Sequence, residues 1–248
     1  MTNYKLGFIN GNTLKIIAAV TMLIDHIGYI LLPQYRFLRI IGRLAMPIFA
    51  FMIAEGCKYT KNKKRYLFTI AALAFIYQVV YYLYDGTTKM CILVTFSLSI
   101  IMIYALQYFY KMFFAKDASL LKKAFAALVF LATVAGTYIF VNRFNVDYNL
   151  YGCLLPVFAA TVNIPDTAPK FFKRFNCIPV SVFMLGIGLL YLCYKLGGIG
   201  GLQTYSLLSI PILFLYSGKR GKYKMKYFFY IFYPVHLFIL ELISVLIK

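Results

Sequence analysis

The sequence predicts an all-α fold, a polytopic transmembrane helix bundle of about nine spans with its N-terminus in the cytoplasm. Hydrophobic residues make up 62% of the 248 residues and charged residues only 13%, and the mean hydropathy is +0.78. Because a soluble globular domain carries about a quarter charged residues, this composition excludes a water-soluble enzyme or a disordered chain. Apolar segments long enough to cross a bilayer recur along the chain, and the loops between them alternate in charge.

The candidate spans follow one another with short loops between them. They lie near 13–32, 39–57, 66–84, 91–110, 124–141, 148–164, 175–194, 203–216 and 227–247. A helix needs about 20 apolar residues to cross the hydrocarbon, so the short segments 148–164 and 203–216 are predicted to be tilted or partly re-entrant. The first segment contains Asp25 and His26 and has no small-residue cleavage site after it, so it is not a signal peptide. With no long linker or internal repeat, residues 1–248 are predicted to form a single transmembrane domain.

The charge distribution predicts the orientation. The net charge is +19, from 26 Lys and Arg against 7 Asp and Glu. Eighteen of the basic residues fall in one alternating set of loops and six in the opposite set, which places the N-terminus in the cytoplasm and the C-terminus outside. The sequence therefore predicts a multi-pass protein of the cell membrane. Because the charge is spread over many short loops, we expect anionic lipid at the basic cytoplasmic loops and no nucleic-acid partner.

The positions of the five cysteines indicate that they pack in the core and form neither disulfides nor a metal site. They lie in or beside apolar runs, with no CxxC pair and no metal-like spacing: Cys57, Cys91, Cys153, Cys177 and Cys193. We interpret them as buried packing thiols, and we predict neither a disulfide framework nor a metal site.

Titratable residues inside the spans are the strongest functional signal, because a charge within the bilayer is costly. Asp25 and His26 lie in the outer half of the first segment, and His236 lies near the middle of the last, two residues after Pro234. Imidazole exchanges protons near neutral pH, so both histidines are candidate catalytic groups. The alternatives are a core histidine bonded to a neighbouring carbonyl for His26, and a simple proline bend around His236.

The spacing within the first segment places Lys15 and His26 on one helix face. They are eleven residues apart, which corresponds to roughly 16 Å along the axis, with Lys15 near the cytoplasmic interface. Asp25 points about 100° away from His26, so a partner across the bundle, such as Arg43, suits it better than the neighbouring imidazole. Lys15 also fits the simpler interpretation of a side chain that reaches the interface from a helix end.

The second segment carries further charges. Arg39 and Arg43 are four residues apart and face one way, and Glu55 lies toward the cytoplasmic end of the same segment. Gly42 permits close approach of another helix. A buried Arg43 needs a partner, for which Asp25 and Glu55 are the candidates. Contact with a substrate and a structural ion pair are both open interpretations of these residues.

Two basic runs, 58–65 and 218–226, lie on the cytoplasmic side of the predicted topology. Their candidate phosphate-binding residues are Lys61, Lys64, Arg65, Lys219 and Arg220. Each run could bind phosphate groups, or could serve as a topology signal that contacts anionic lipid.

Several stretches along nearly the whole chain resemble the TraX family of integral-membrane acyltransferases. They are LKIIAAVTMLIDHIG (14–28), LRIIGRLAMPIFAF (38–51), AEG (54–56) with TKNKKRYL after it, YG (151–152), LYSGKRG (215–221) and KYFFYIFYPVHL (226–237). The first of them also looks like the wider acyltransferase-3 family, in which a basic residue precedes a first-helix histidine by eleven positions, as Lys15 precedes His26. The later basic motif of that family is matched only loosely at 61–65.

The resemblance implies acetylation of the N-terminal amine of a conjugative pilin subunit, with acetyl-CoA as the acyl donor. It implies that His26 is the general base or a transient acetyl carrier, with Asp25 and His236 completing the pocket. Arg39 or Arg43 would stabilise the oxyanion or hold an acidic acceptor group, and Glu55 belongs to the same substrate-binding set. The phosphates of the coenzyme would be held by six basic residues: Lys15, Lys61, Lys64, Arg65, Lys219 and Arg220.

Three other functions stay open on the sequence. Buried His, Asp, Arg and Glu also suit a proton-coupled small-molecule transporter or flippase. The acceptor could instead be a sugar hydroxyl or amine of a cell-surface glycan. A helical assembly factor would leave the buried Asp25–His26 pair unexplained.

Overall fold

The computed structural model describes residues 7–86, 88–198, 200–223 and 225–247, and its regular structure over these residues is helical. The chain divides into two compact units, one of 1–52 with 189–248 and one of 53–188. Two helices run from one unit into the other: α3 (Ala45–Tyr59) and α9 (Ile178–Lys195). The predicted single domain stays a prediction.

The first unit is built from the two ends of the chain. Besides parts of α3 and α9, its helices are α1 (Gly11–Ile30), α2 (Arg36–Gly42), the 3-10 helix η1 (Leu202–Leu208), α10 (Ser209–Phe214) and α11 (Lys226–Ile247). Asn10 begins α1, because its side chain accepts hydrogen bonds from the backbone N–H groups of Asn12 and Thr13.

The second unit holds the middle of the chain. Its helices are α4 (Lys63–Asp85), α5 (Ile92–Phe113), α6 (Leu120–Arg143), α7 (Asn149–Ala160) and α8 (Lys170–Lys173), with parts of α3 and α9. Helix α5 packs against α4, α6 and α7, and the Ser99 hydroxyl at its centre donates to the Cys153 carbonyl of α7 at 2.8 Å. Helix α6 exposes large apolar side chains such as Leu128, Leu131 and Ile139, as a lipid-facing helix does.

Each of the nine predicted segments overlaps a helix of the structure. Five helical stretches among the described residues are long and apolar enough to cross a membrane: Gly11–Ile30, Arg36–Tyr59, Ile92–Phe113, Leu120–Arg143 and Ile178–Lys195. The segments predicted to be short form the short helices Asn149–Ala160 and Leu202–Phe214. The count of nine spans and the cytoplasmic N-terminus stay predictions.

The packing of α2 on α1 depends on two glycines. A Cβ atom at Gly28 would overlap the Leu38 side chain, and a Cβ at Gly42 would overlap the Asp25 side chain. The absence of a side chain at both positions lets the two helices approach closely, as predicted for Gly42. This approach places the arginines of α2 beside Asp25.

The segment before α1 is joined to the loop before α11 by backbone hydrogen bonds. The N–H of Ile9 donates to the carbonyl of Leu215 at 2.9 Å, and the N–H of Ser217 donates to Ile9 at 2.8 Å. The N–H of Gly11 donates to the Lys219 carbonyl at 2.9 Å. These bonds fix the basic loop that carries Lys219 and Arg220 at the N-terminal end of α1. Lys224, in the same basic run, lies outside the described residues.

Three of the five cysteines are buried, as predicted for packing thiols: Cys57, Cys153 and Cys193. Cys91 and Cys177 are partly exposed, and all five thiols are free. Among the described residues, His, Cys, Asp and Glu form no group that could hold a metal ion.

Candidate functional site

The centre of the site is an ion cluster between α1 and α2. The Nη2 of Arg43 donates to both carboxylate oxygens of Asp25, at 2.7 and 2.8 Å. The Nη1 of Arg39 donates at 3.2 Å both to the Asp25 carboxylate and to its backbone carbonyl. The side chains are largely buried, with exposed fractions of 12% for Arg43, 14% for Asp25 and 23% for Arg39. Asp25 therefore pairs with Arg43, the residue that follows α2, and its predicted orientation away from His26 is compatible with that partner.

Short-range contacts hold each arginine in place. The Nε of Arg43 donates to the Arg39 carbonyl at 3.3 Å, one helical turn back. The guanidinium of Arg39 lies over the Tyr29 ring, 4.8 Å from its centroid. Two cations around one carboxylate form a positively charged centre, which favours a substrate that carries or develops negative charge.

The two histidines of the chain contact each other, although 210 residues separate them in sequence. The Nδ1 of His26 lies 3.1 Å from the Nε2 of His236, and the ring centroids are 5.1 Å apart. His236 is buried, with 5% of its surface exposed, and its ring stacks on Phe232 one turn earlier in α11. The Nδ1 of His236 lies 2.7 Å from the Phe232 carbonyl.

These hydrogen bonds determine the tautomers of the neutral pair. A carbonyl oxygen only accepts, so the Nδ1 of His236 carries a proton and donates it to Phe232. The Nε2 of a neutral His236 is then an acceptor, and the Nδ1 of His26 must donate to it. The Nε2 of His26 is then left unprotonated, with the other ring nitrogen carrying the proton. The arrangement leaves a lone pair on the Nε2 of His26, which is the requirement for a general base.

Lys15 and His26 share a helix face in the structure, as their spacing predicts. The Lys15 ammonium lies 5.9 Å from the centre of the Phe229 ring, while His26 meets His236. Phe229 and His236 are seven residues apart, so they lie on one face of α11. Lys15, the earlier residue of α1, contacts Phe229, the earlier residue of α11, and the later residue His26 contacts the later residue His236. Helices α1 and α11 therefore run in the same direction.

The basic loop before α11 lies at the Lys15 end of this face. The N–H of Gly11, one helical turn before Lys15, donates to the Lys219 carbonyl, which places Lys219 and Arg220 near the Lys15 end of α1. The Asn12 side chain donates to the Tyr223 carbonyl at 2.7 Å and fixes the far side of the loop. Lys15, Lys219 and Arg220 therefore belong to one end of the first unit.

Four predicted site residues belong to the second unit. Lys61, Lys64 and Arg65 lie at the start of α4, where the Asn62 side chain accepts from the Arg65 backbone N–H, and all three are exposed. Glu55 is buried in α3, with 6% exposure. Two carboxylates, Asp25 and Glu55, were the predicted partners of Arg43. Asp25 forms an ion pair with Arg43 in the first unit, and Glu55 belongs to the second unit.

Sequence reasoning missed Gln203. The Oε1 of this side chain accepts from the Nη1 of Arg43 at 3.4 Å, which adds η1 to the Asp25–Arg cluster. Gln203 lies 160 residues from Arg43 in sequence, so no local pattern joins them. The one feature of the sequence that could have identified Gln203 is that it places an amide side chain in the short apolar segment 203–216.

The helices and the buried charged centre define a multi-pass membrane protein. The chain belongs to the TraX family, because the family model described as TraX protein matches residues 10–244. This match covers the site from α1 to α11.

Two curated proteins are similar to the chain. A probable fimbrial assembly protein, FimC of serogroup H1, from Dichelobacter nodosus is 25% identical over 252 aligned positions, which cover 92% of each protein. An uncharacterized protein, RP591, from Rickettsia prowazekii (strain Madrid E) is 44% identical over 64 residues. That match covers 26% of this chain and 23% of the Rickettsia protein. No solved structure matches the chain.

Proposed function

We propose that the protein is a membrane-embedded acyltransferase that moves an acetyl group from acetyl-CoA to an amine. The observation that carries this proposal is the His26–His236 pair, whose hydrogen bonds leave the Nε2 of His26 unprotonated beside the Asp25–Arg43–Arg39 cluster. A base next to fixed cations is the combination that acyl transfer requires. The eleven-residue spacing of Lys15 and His26, shared with the acyltransferase-3 pattern, supports the same class.

The reaction follows from these groups. The acceptor nitrogen attacks the thioester carbonyl carbon, and the Nε2 of His26 removes a proton from that nitrogen. The C=O electron pair moves to oxygen, and Arg39 or Arg43 stabilises the negative charge. When the intermediate collapses, the C–S bond breaks and the proton on His26 passes to the leaving thiolate. The products are an acetylated amine and coenzyme A.

Lys15, Lys219 and Arg220 are proposed to bind the phosphates of the coenzyme. They lie together at the N-terminal end of α1, on the face that leads along the helix to His26. Charged donors favour phosphate oxygens. The exposed group Lys61, Lys64 and Arg65 stays a predicted contact of the second unit with phosphate or anionic lipid.

The acceptor is proposed to be a peptide amine, such as a pilin N-terminus. The support is family membership and the similarity to a protein named for fimbrial assembly. A glycan hydroxyl or amine is the alternative acceptor, because a base and an oxyanion site serve either nucleophile. Proton-coupled transport is the second function, and the buried contact between two histidines favours it, since such a pair passes protons.

Nine crossings with a cytoplasmic N-terminus are proposed for the topology. Two observations support them. A helix overlaps each of the nine predicted segments, and α1 and α11 run in the same direction, as the first and last of an odd number of spans must.

The test is release of free thiol from acetyl-CoA by detergent-purified protein, with and without a panel of amines. We expect amine-dependent release by the wild type and a loss of about 100-fold or more in His26→Ala, the usual contribution of a general base. Asp166→Asn, an exposed charge change in the second unit, is the control and keeps wild-type activity. If folded wild-type protein neither binds nor consumes acetyl-CoA, the proposal is wrong, and proton-coupled uptake into liposomes is then the expected activity.

A further inference from the structure

The amide of Gln203 has a hydrogen-bond partner for its oxygen and none, among the described residues, for its nitrogen. Its residue is 8% exposed, and its Oε1 accepts from Arg43, whereas its Nε2 has no hydrogen-bond partner among the described residues. A buried donor without a partner costs about 1–3 kcal/mol, so native proteins rarely leave one without a reason. A ligand that supplies the missing acceptor is such a reason.

The chemistry of the missing partner follows from the orientation of the amide. Arg43 offers only N–H donors, so the atom that faces it must be the carbonyl oxygen of Gln203. The remaining end is therefore the NH₂ group, which donates and does not accept. The group it would bind is an acceptor, such as a carbonyl oxygen, and a cation is excluded.

The position of Gln203 is fixed before any ligand binds. The Cys193 thiol donates to its backbone carbonyl at 3.3 Å, and Arg43 holds its Oε1. It lies in η1, a seven-residue 3-10 helix, which is longer than the usual three or four residues. Through Arg43 it is connected to Asp25, the residue before His26.

We infer that the Nε2 of Gln203 donates a hydrogen bond to the acyl carbonyl oxygen of the thioester, and that this bond strengthens as the oxygen becomes an oxyanion. The inference rests on the proposed acyltransferase function and adds a second type of donor to it. When the amine attacks, the π pair of the carbonyl moves onto this oxygen, and the pair returns when the C–S bond breaks. A fixed neutral donor in a buried site stabilises that charge with little reorganisation.

The decisive variant is Gln203→Glu. It keeps an oxygen for Arg43, removes the NH₂ group and adds a negative charge, so a structural role in holding Arg43 would be preserved. We expect kcat for acetyl transfer to fall about 100-fold, as for loss of one oxyanion donor, with the KM for acetyl-CoA changed less than about threefold. The neutral variant Gln203→Met removes the NH₂ group without adding a charge, although it also removes the oxygen that Arg43 contacts, and we expect kcat to fall in both variants.

Gln107→Glu is the matched control. The Oε1 of Gln107 accepts from Lys63 and its Nε2 donates to the Cys57 carbonyl, so its amide is satisfied at both ends. We expect this control to lose thermal stability and keep kcat, whereas Gln203→Glu keeps its stability and loses kcat. An active Gln203→Glu, or a raised KM at unchanged kcat, overturns the role of Gln203 alone. Absence of turnover by folded wild-type protein overturns the proposed function and this inference together.

Discussion

Asp25 is the residue on which the charged centre depends, because it is the carboxylate that two arginines share. Both guanidinium groups donate to it, and Arg43 uses one nitrogen for both oxygens. Burying one arginine without such a partner would cost several kcal/mol, so the pair must be retained together. The cluster orients Arg43 toward Gln203 and fixes the end of α1 that presents His26.

His236 is predicted to act through His26 and not on the substrate. Its Nε2 accepts from the Nδ1 of His26, and this bond places the free lone pair on the other nitrogen. We expect His236→Leu to lower kcat roughly tenfold to 100-fold, in the range seen for groups that orient a functional histidine, with the KM for acetyl-CoA nearly unchanged.

The conservative variant His236→Gln tests this positioning role. Its side-chain oxygen can accept from the Nδ1 of His26, so we expect partial recovery of kcat relative to His236→Leu. Steady-state kinetics of the three proteins at several pH values provides the comparison. Equal activity in all three would contradict the role of His236.

Among the helices, the close approach of α1 and α2 brings Asp25 into contact with Arg39 and Arg43. Gly28 and Gly42 provide that approach, and a side chain at Gly42 would overlap the Asp25 carboxylate. Without a hydrophobic driving force inside the bilayer, close van der Waals packing and interhelical hydrogen bonds hold two such helices together.

Gly42→Ala is expected to lower both the thermal stability and the acetyl-transfer activity of the purified protein, because the added methyl group displaces Asp25 from Arg43. The matched control is Gly136→Ala in α6, where a Cβ would meet nothing within 4 Å. Alanine is favoured over glycine in a helix, so the control should be neutral or stabilised by up to about 1 kcal/mol. Equal melting temperatures for the two variants would show that α1 and α2 do not need this contact.

The helical elements could be predicted from sequence because lipid requires long apolar runs with internally satisfied backbones. The segments 148–164 and 203–216 gave weaker signals, and they form a 12-residue helix and a 3-10 helix continued by α10. Periodicity cannot predict a change from 3-10 to α geometry, since local strain and packing decide it.

At the scale of the whole molecule, the topology can be tested by fusing a reporter that is active only outside the cytoplasm. Nine crossings predict activity after Lys89 and Arg143, and none after Lys116 and Lys170. The pair Arg143 and Lys170 is the most informative, because only the short α7 stands between them among the predicted spans. The same result at both positions would contradict a crossing by α7.

Candidate site residues other than Gln203 could be named from the sequence, but not all of their contacts could. The cost of charge in a membrane identified Asp25, His26 and Arg43 as candidates, and helical angles directed Asp25 away from His26 toward a partner such as Arg43, for which Asp25 and Glu55 were both candidate carboxylates. The contact of His26 with His236 joins the two ends of the chain, and Gln203 meets Arg43 from a third segment. Such contacts depend on tertiary packing, which no local pattern encodes.

The most direct test of the central claim is mass spectrometry of a peptide with a free N-terminal amine after incubation with acetyl-CoA and the purified protein. We predict a mass gain of one acetyl group at that amine with the wild type, and almost none with His26→Ala. An unmodified peptide, together with acetyl-CoA left intact by folded wild-type protein, would contradict acyl transfer at the His26–His236 pair.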